Sequence, residues 1–138
     1  VVDTWSVGVD LRLEPPTGTK ILFRLWRGSV LGDYAGGIFQ TVSTELLTPV
    51  RSTGFLVAAT QQLGEGWRLA GGFGSDDPDD TDVGVGERIL NQAVYGTLFW
   101  DWSKKVGFAG EISRWRTRYR GQGSTHAWRG ELMMIIHI

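Results

Sequence analysis

In the stretch Trp5-Ser6-Val7-Gly8-Val9-Asp10-Leu11-Arg12-Leu13-Glu14 every odd position is apolar and every even one is small, polar or charged. Successive side chains of a strand point to opposite faces, so a repeat this regular specifies a strand with one greasy and one polar side. No run with apolar spacing of i, i+3, i+4 competes with it elsewhere in the chain. Glycine occurs 20 times in 138 residues, well above the usual share of about 7%. Each glycine inside a helix costs about 0.5–1 kcal/mol relative to alanine. The chain reads as all-β.

Working outward, turn signals divide it into seven strands, at residues 5–14, 20–31, 51–63, 67–75, 89–103, 106–119 and 126–138. The connections 15–19 (Pro15-Pro16-Thr17-Gly18-Thr19), 64–66 and 104–105 are short, whereas 32–50, 76–88 and 120–125 are longer. These strands exceed the usual length of about 5–6 residues. Most reach the roughly 9–11 residues that a strand tilted by about 45° needs to cross a bilayer. Short turns at one end and long loops at the other describe an antiparallel up-and-down transmembrane β-barrel. Reading 37–46 as an eighth strand would break that alternation. Bacterial single-chain barrels have an even number of strands. The last strand ends at the short-turn side, which puts Val1 at the long-loop side. Residues 1–138 therefore read as a single β-barrel domain, the C-terminal seven or so strands of a larger barrel.

Composition narrows the function classes. The formal net charge is -1, from 14 basic and 15 acidic side chains, which argues against a nucleic-acid binder. There is no cysteine, so disulfides, thiolate zinc sites and cysteine nucleophiles are excluded. No apolar run approaches the ~18 residues of a membrane helix, and Val1-Val2-Asp3 does not read as a secretory signal.

The two faces carry different chemistry. Trp5, Trp67, Trp100, Trp102 and Trp128 lie near strand ends and share the parity of Leu69, Phe73, Val94, Leu98, Leu132 and Met134. Tryptophan at both ends of an apolar band is how membrane barrels mark the headgroup level, so these five are the expected interface residues. The opposite parity carries Asp10, Arg12, Arg24, Arg68, Asp101, Glu111, Arg129 and Glu131, the expected lining of a wet lumen. The second and third strands are less clean, with Leu22 and Trp26 opposing Ile21, Phe23 and Leu25, as if the long loop folded inward over them. The competing arrangement is a soluble barrel or sandwich with the tryptophans inside, binding a small apolar ligand or carbohydrate. A third is an interaction subunit whose open sheet edges pair with other chains.

The order Leu31-Gly32-Asp33-Tyr34-Ala35-Gly36-Gly37-Ile38, then Phe73-Gly74-Ser75-Asp76-Asp77-Pro78-Asp79-Asp80-Thr81-Asp82, Gly86-Glu87-Arg88-Ile89-Leu90-Asn91 and Ser113-Arg114-Trp115-Arg116-Thr117-Arg118-Tyr119 resembles the C-terminal portion of bacterial outer-membrane porin-like proteins. The resemblance covers most of the chain. It implies a passive barrel in the bacterial outer membrane, in contact with the lipid bilayer and lipopolysaccharide. Such barrels usually end in an aromatic residue, whereas this chain ends Ile136-His137-Ile138, with Ile138 on the greasy register.

Other candidates for chemistry are sparse. Asp76, Asp77, Asp79, Asp80 and Asp82 are the hard oxygen ligands calcium prefers, but the glycine and distal glutamate of an EF-hand loop are missing, and a solvated external loop is the simpler reading. Arg114, Arg116, Arg118 and Arg120 alternate towards a long loop, suited either to lipopolysaccharide phosphates or to plain solvation. Trp115 has lumen parity, fit to stack on a sugar or to pack under a loop. His126 and His137 are too far apart along one strand to share a metal. No G-x-S-x-G elbow occurs, and the glycine pairs at 36–37 and 71–72 precede no helix that would hold a phosphate. Nothing supports catalysis or a cofactor. The expectation is a passive pore or membrane scaffold with a charged lumen of nearly balanced sign and weak ion preference, alone, as a homo-oligomer or with other barrel segments.

Overall fold

A computed structural model of the chain describes residues 3–31 and 40–136. Seven strands follow one another: β1 (Trp5–Leu13), β2 (Thr19–Ser29), β3 (Arg51–Gly64), β4 (Trp67–Pro78), β5 (Arg88–Asp101), β6 (Val106–Tyr119) and β7 (Gly123–Ile136). Each pairs antiparallel with the next, giving one sheet in the order β1-β2-β3-β4-β5-β6-β7. The all-β up-and-down meander is therefore as expected. The sheet is open, since β1 and β7 pair with no strand on their outer edges among the described residues.

Several boundaries differ from the sequence reading. The Asp76-Asp77-Pro78 segment is strand, not loop: Asp76, Asp77 and Pro78 pair with Gly54, Thr53 and Ser52. Pairing of β4 with β5 stops at Asp76 and Asn91, so Pro78 is tolerated where no ladder donor is needed on that side. The loop after it makes one 3-10 turn, Asp80–Asp82. β2 ends at Ser29, because Val30 adopts φ 62, a conformation costly for a β-branched residue that turns the chain out of the strand. β5 stops at Asp101, and the Ser103 N–H donates to the Val106 carbonyl at 3.0 Å to close the turn. β7 begins at Gly123, three residues earlier than expected. Of the segment 37–46, residues 37–39 lie outside the described ones, and 40–46 form only an isolated bridge between Val42 and Pro49.

At the 64–66 reversal, Gly66 has φ 75, and its carbonyl accepts the Asp101 N–H at 2.7 Å. That bond ties the β3–β4 turn to the end of β5.

The sheet encloses little apolar core. Among the described residues the buried apolar side chains are Val30, Leu31, Val50, Val83 and Ala109. The first four belong to the long loops or their edges, so the densest packing lies at the long-loop end. A sheet this long with almost no covered greasy face is the feature that the site must explain.

Candidate functional site

Because the six ladders keep register apart from shifts at strand ends, between Gln62 and Gly64 and between Arg88 and Leu90, each side chain between them can be assigned to a face. One face carries Val7, Val9, Leu11 and Leu13 from β1, with Ile21, Phe23 and Leu25 opposite them on β2. It continues through Phe55 and Val57 on β3, Leu69 and Phe73 on β4, and Val94 and Leu98 on β5. Phe108 and Ile112 on β6 and Leu132, Met134 and Ile136 on β7 complete the band. The apolar rows run seven to nine residues per strand on β1, β4, β5 and β7, about 20–26 Å along the strand. Outer-membrane barrels carry an apolar band about 25 Å tall.

That face is exposed. Trp5 is 44% accessible, Trp67 41%, Trp100 40% and Trp128 69%. Trp67 and Trp100 stack at the short-turn end, and Phe108 extends the cluster with its ring 5.9 Å from that of Trp100. Trp5 and Trp128 lie on the same face, towards the long loops of β1 and β7. Trp102 falls just past β5, in the short turn, where it is also exposed.

The other face is concave. Side chains from β2 to β6, including Trp26, Leu56, Ala93, Tyr95, Glu111 and Trp115, line a single hollow of about 450 Å³. The register brings Asp10, Arg12, Arg24, Arg68, Asp101, Glu111, Arg129 and Glu131 to this one face. Within it charges meet across strands. Arg24 donates to both oxygens of Asp10 at 2.7 Å, the bidentate fork that guanidinium geometry favours. Arg68 lies 3.6 Å from Asp101 and over the ring of Phe99. Glu111 and Glu131 are direct cross-strand partners, a like-charge pair. The Thr97 hydroxyl donates to Glu111 at 2.8 Å, and Arg129 pairs with Glu131.

Curvature crowds this face, and the chain answers by setting rings beside glycines. Trp26 pairs with Gly8 on one side and Gly54 on the other, and a Cβ on Gly54 would run into its indole ring. Tyr95 pairs with Gly72, where a Cβ would lie 2.7 Å from the Tyr95 ring. Trp115 donates its indole N–H to Ser113 at 3.1 Å and lines the same hollow. Parity already put Trp115, which lies between Ala93 and Ala127, on this side, but the lining by Trp26 and Tyr95 was not read from the sequence; their signal, large rings whose cross-strand partners include glycine, becomes visible only once the register is known.

The long-loop end is clamped by ion pairs and buried polar contacts. Burial opposes ionisation of Glu87, yet the Gly84 N–H, the Ser43 hydroxyl and the Thr44 N–H and hydroxyl all donate to its carboxylate. The result is a pKa lowered to about 2. Arg51 grips Asp82 through both its backbone N–H and its guanidinium, which holds the Asp82 carboxyl below the usual range despite partial burial. Arg27 and Arg51 both reach Asp79. Gln40 makes two bonds to the Arg88 backbone. The Leu31 side chain lies against Gly28, on the concave face; residues 32–39, in which the inward fold of the long loop was expected, lie outside the described ones.

The reading of 76–82 as a solvated loop is corrected in part: Asp76 and Asp77 are in β4, Asp76 on the concave face and Asp77 on the apolar one, while Asp79 and Asp82 are paired with arginines. Among the described residues no cluster of acids and histidines is arranged to hold a metal. Arg120 does not continue the arginine row, because it turns back to donate to the carbonyls of Asp80 and Val83. His137 and the Gly32–Ile38 part of the resemblance lie outside the described residues.

Compared with protein-family models, with curated proteins and with solved structures, the chain finds no match. The outer-membrane likeness thus rests on the quoted residues and on the distribution of side chains over the two faces.

Proposed function

We propose that this chain is a set of seven strands of a transmembrane β-barrel in the bacterial outer membrane, forming a passive pore or a membrane scaffold with a charged aqueous lumen. One observation carries the reading: the sheet is inside out for a water-soluble protein. Its apolar face, with tryptophans towards both ends, is exposed, while arginine–carboxylate pairs line the concavity. In water an exposed apolar surface of this size is a liability. In hydrocarbon it is the solvated side. The soluble alternative needs the Trp-bearing face in a dry interior; the exposure of Trp5, Trp67, Trp100 and Trp128 supports the membrane reading over it.

β1 and β7 run in the same direction, so an odd number of further strands between them closes the barrel with every pair antiparallel. Those strands belong to the same polypeptide or to another barrel segment. The charged lining, Arg12, Arg24, Arg68, Arg129 and Lys20 against Asp10, Asp76, Asp101, Glu111 and Glu131, is balanced in sign and supports weak ion preference.

The test is flotation of the refolded protein with phospholipid vesicles, followed by recording in planar bilayers. Flotation with discrete conductance steps supports a pore. Flotation without steps leaves the scaffold. A protein that stays monodisperse in detergent-free buffer and does not float overturns the membrane reading.

A further inference from the structure

The hollow on the concave face combines rings with acids. Across the sheet, Trp26 on β2 stands at one side of it, Leu56 and Gly74 on β3 and β4 in the middle, and Tyr95 and Trp115 on β5 and β6 at the other. Trp26 leans over Gly54 and Tyr95 over Gly72, so both rings tilt towards the middle strands. At about 450 Å³ the hollow falls within the roughly 300–1,000 Å³ of small-molecule sites. Asp76 and Glu111 line it as well, and among the described residues no lysine or arginine does.

Glu111 stands apart from other carboxylates of this face. Asp10, Asp101 and Glu131 each have an arginine, namely Arg24, Arg68 and Arg129. Among the described residues no basic group lies within salt-bridge distance of Glu111, which accepts the Thr97 hydroxyl and faces Glu131 across the ladder. Arg68 shows what a complete arrangement looks like on this face. Its guanidinium lies over the Phe99 ring at 4.9 Å and 3.6 Å from Asp101, a cation held between ring and carboxylate. In the hollow the rings and the carboxylate recur, and no side chain among the described residues supplies the cation.

We infer that the hollow binds a small organic ammonium ion, its charge set against Glu111 and its alkyl groups against Trp26, Tyr95 and Trp115. The inference deepens the lumen reading above by naming a ligand class for it. Ring faces attract a cation more strongly when its water is removed, and aromatic surroundings are the recurrent means of recognising quaternary ammonium groups. A neutral sugar would stack on the same rings but leave the Glu111 charge unmatched.

Isothermal titration calorimetry on the full chain, refolded in a non-ionic detergent, compares benzyltrimethylammonium with benzyl alcohol, benzoate and glucose. We expect the ammonium ion to bind about tenfold more tightly than any of the other three. Glu111→Gln, whose amide oxygen still accepts the Thr97 hydroxyl, should remove that advantage, while Glu14→Gln, just past β1, should keep it. Gly74→Leu should abolish binding by filling the hollow; a Cβ there makes only ordinary contacts at 3.6 Å, so the strand accommodates it. Equal binding of the ammonium ion and benzyl alcohol, tighter binding of glucose, or an advantage that survives Glu111→Gln overturns the inference. Flotation of the same preparations with phospholipid vesicles tells the two readings apart. A chain that floats but binds no ammonium ion loses the site and keeps the barrel; one that binds but does not float keeps the site and loses the barrel.

Discussion

Trp67 and Trp100 face each other across β4 and β5, their rings 5.6 Å apart and 12° from parallel, on a face where both remain two-fifths exposed. Stacked rings exposed on the outside of a sheet gain little from water, and much more from a lipid–water boundary that takes an apolar body with a polar N–H. Replacing both, in a double-mutant cycle with Trp67→Ala and Trp100→Ala, should give a coupling of about 0.5–1.5 kcal/mol. Reversible urea unfolding in lipid vesicles measures it. Headgroup-level quenchers should quench these two rings more than those of Trp26 and Trp115.

The pairing of rings with glycines on the concave face makes a steric prediction. Gly54→Val forces the Trp26 ring away and should destabilise the fold by about 1–3 kcal/mol. Gly96→Ala, whose new methyl meets nothing within 4 Å, should change stability by less than about 0.5 kcal/mol. The same unfolding assay on the two variants checks the difference, and equal effects would contradict the assigned curvature.

Glu87 links the loop around Ser43 and Thr44 to Gly84, and its carboxyl has a pKa of about 2 against an ordinary 4.5. A group whose folded value is depressed contributes stability above its unfolded value and loses it as pH falls through the folded one. The loop clamp should thus be at full strength above about pH 5 and weaken between 4.5 and 2. Glu87→Ala should loosen it at neutral pH by about 1–3 kcal/mol, by leaving several donors unpaired. Amide exchange at Thr44 and Gly84, followed against pH in both proteins, reads the effect; a wild-type rate that is flat from pH 5 to 2, apart from the intrinsic pH dependence of exchange, would refute the clamp.

Glu111 and Glu131 stand directly opposite each other on the concave face, and only Glu131 has an arginine partner among the residues described. If the barrel conducts, Glu111→Gln/Glu131→Gln should tilt a nearly unselective lumen towards anions. Arg24→Gln should tilt it towards cations. Reversal potentials in a salt gradient report both, and a zero shift in each would remove these side chains from the conduction path. Stability should move little on losing Arg24, since its pair with Asp10 is half exposed and screened by solvent.

Much of this architecture was legible in the residues. The alternation at 5–13 is visible without coordinates because strand geometry has a period of two, and the same rule sorted Asp10, Arg68 and Glu131 from Trp67 and Leu132. Turn chemistry located 64–66 and 104–105. Pro78 misled, because a proline inside an acidic run reads as loop, whereas one side of β4 has no partner there and tolerates it. Arg120 misled for a related reason: parity assigns a face only inside a strand, and β6 ends one residue earlier.

The order of residues by itself determined that the chain makes long two-faced strands, and which side chains share a face, since both follow from local backbone geometry. Only the tertiary structure decided which face is concave, that Trp26 and Tyr95 lie beside glycines, and that Asp79 and Asp82 neutralise Arg27 and Arg51. Curvature and pairing depend on register between strands distant in sequence, and alternation carries no information about that register.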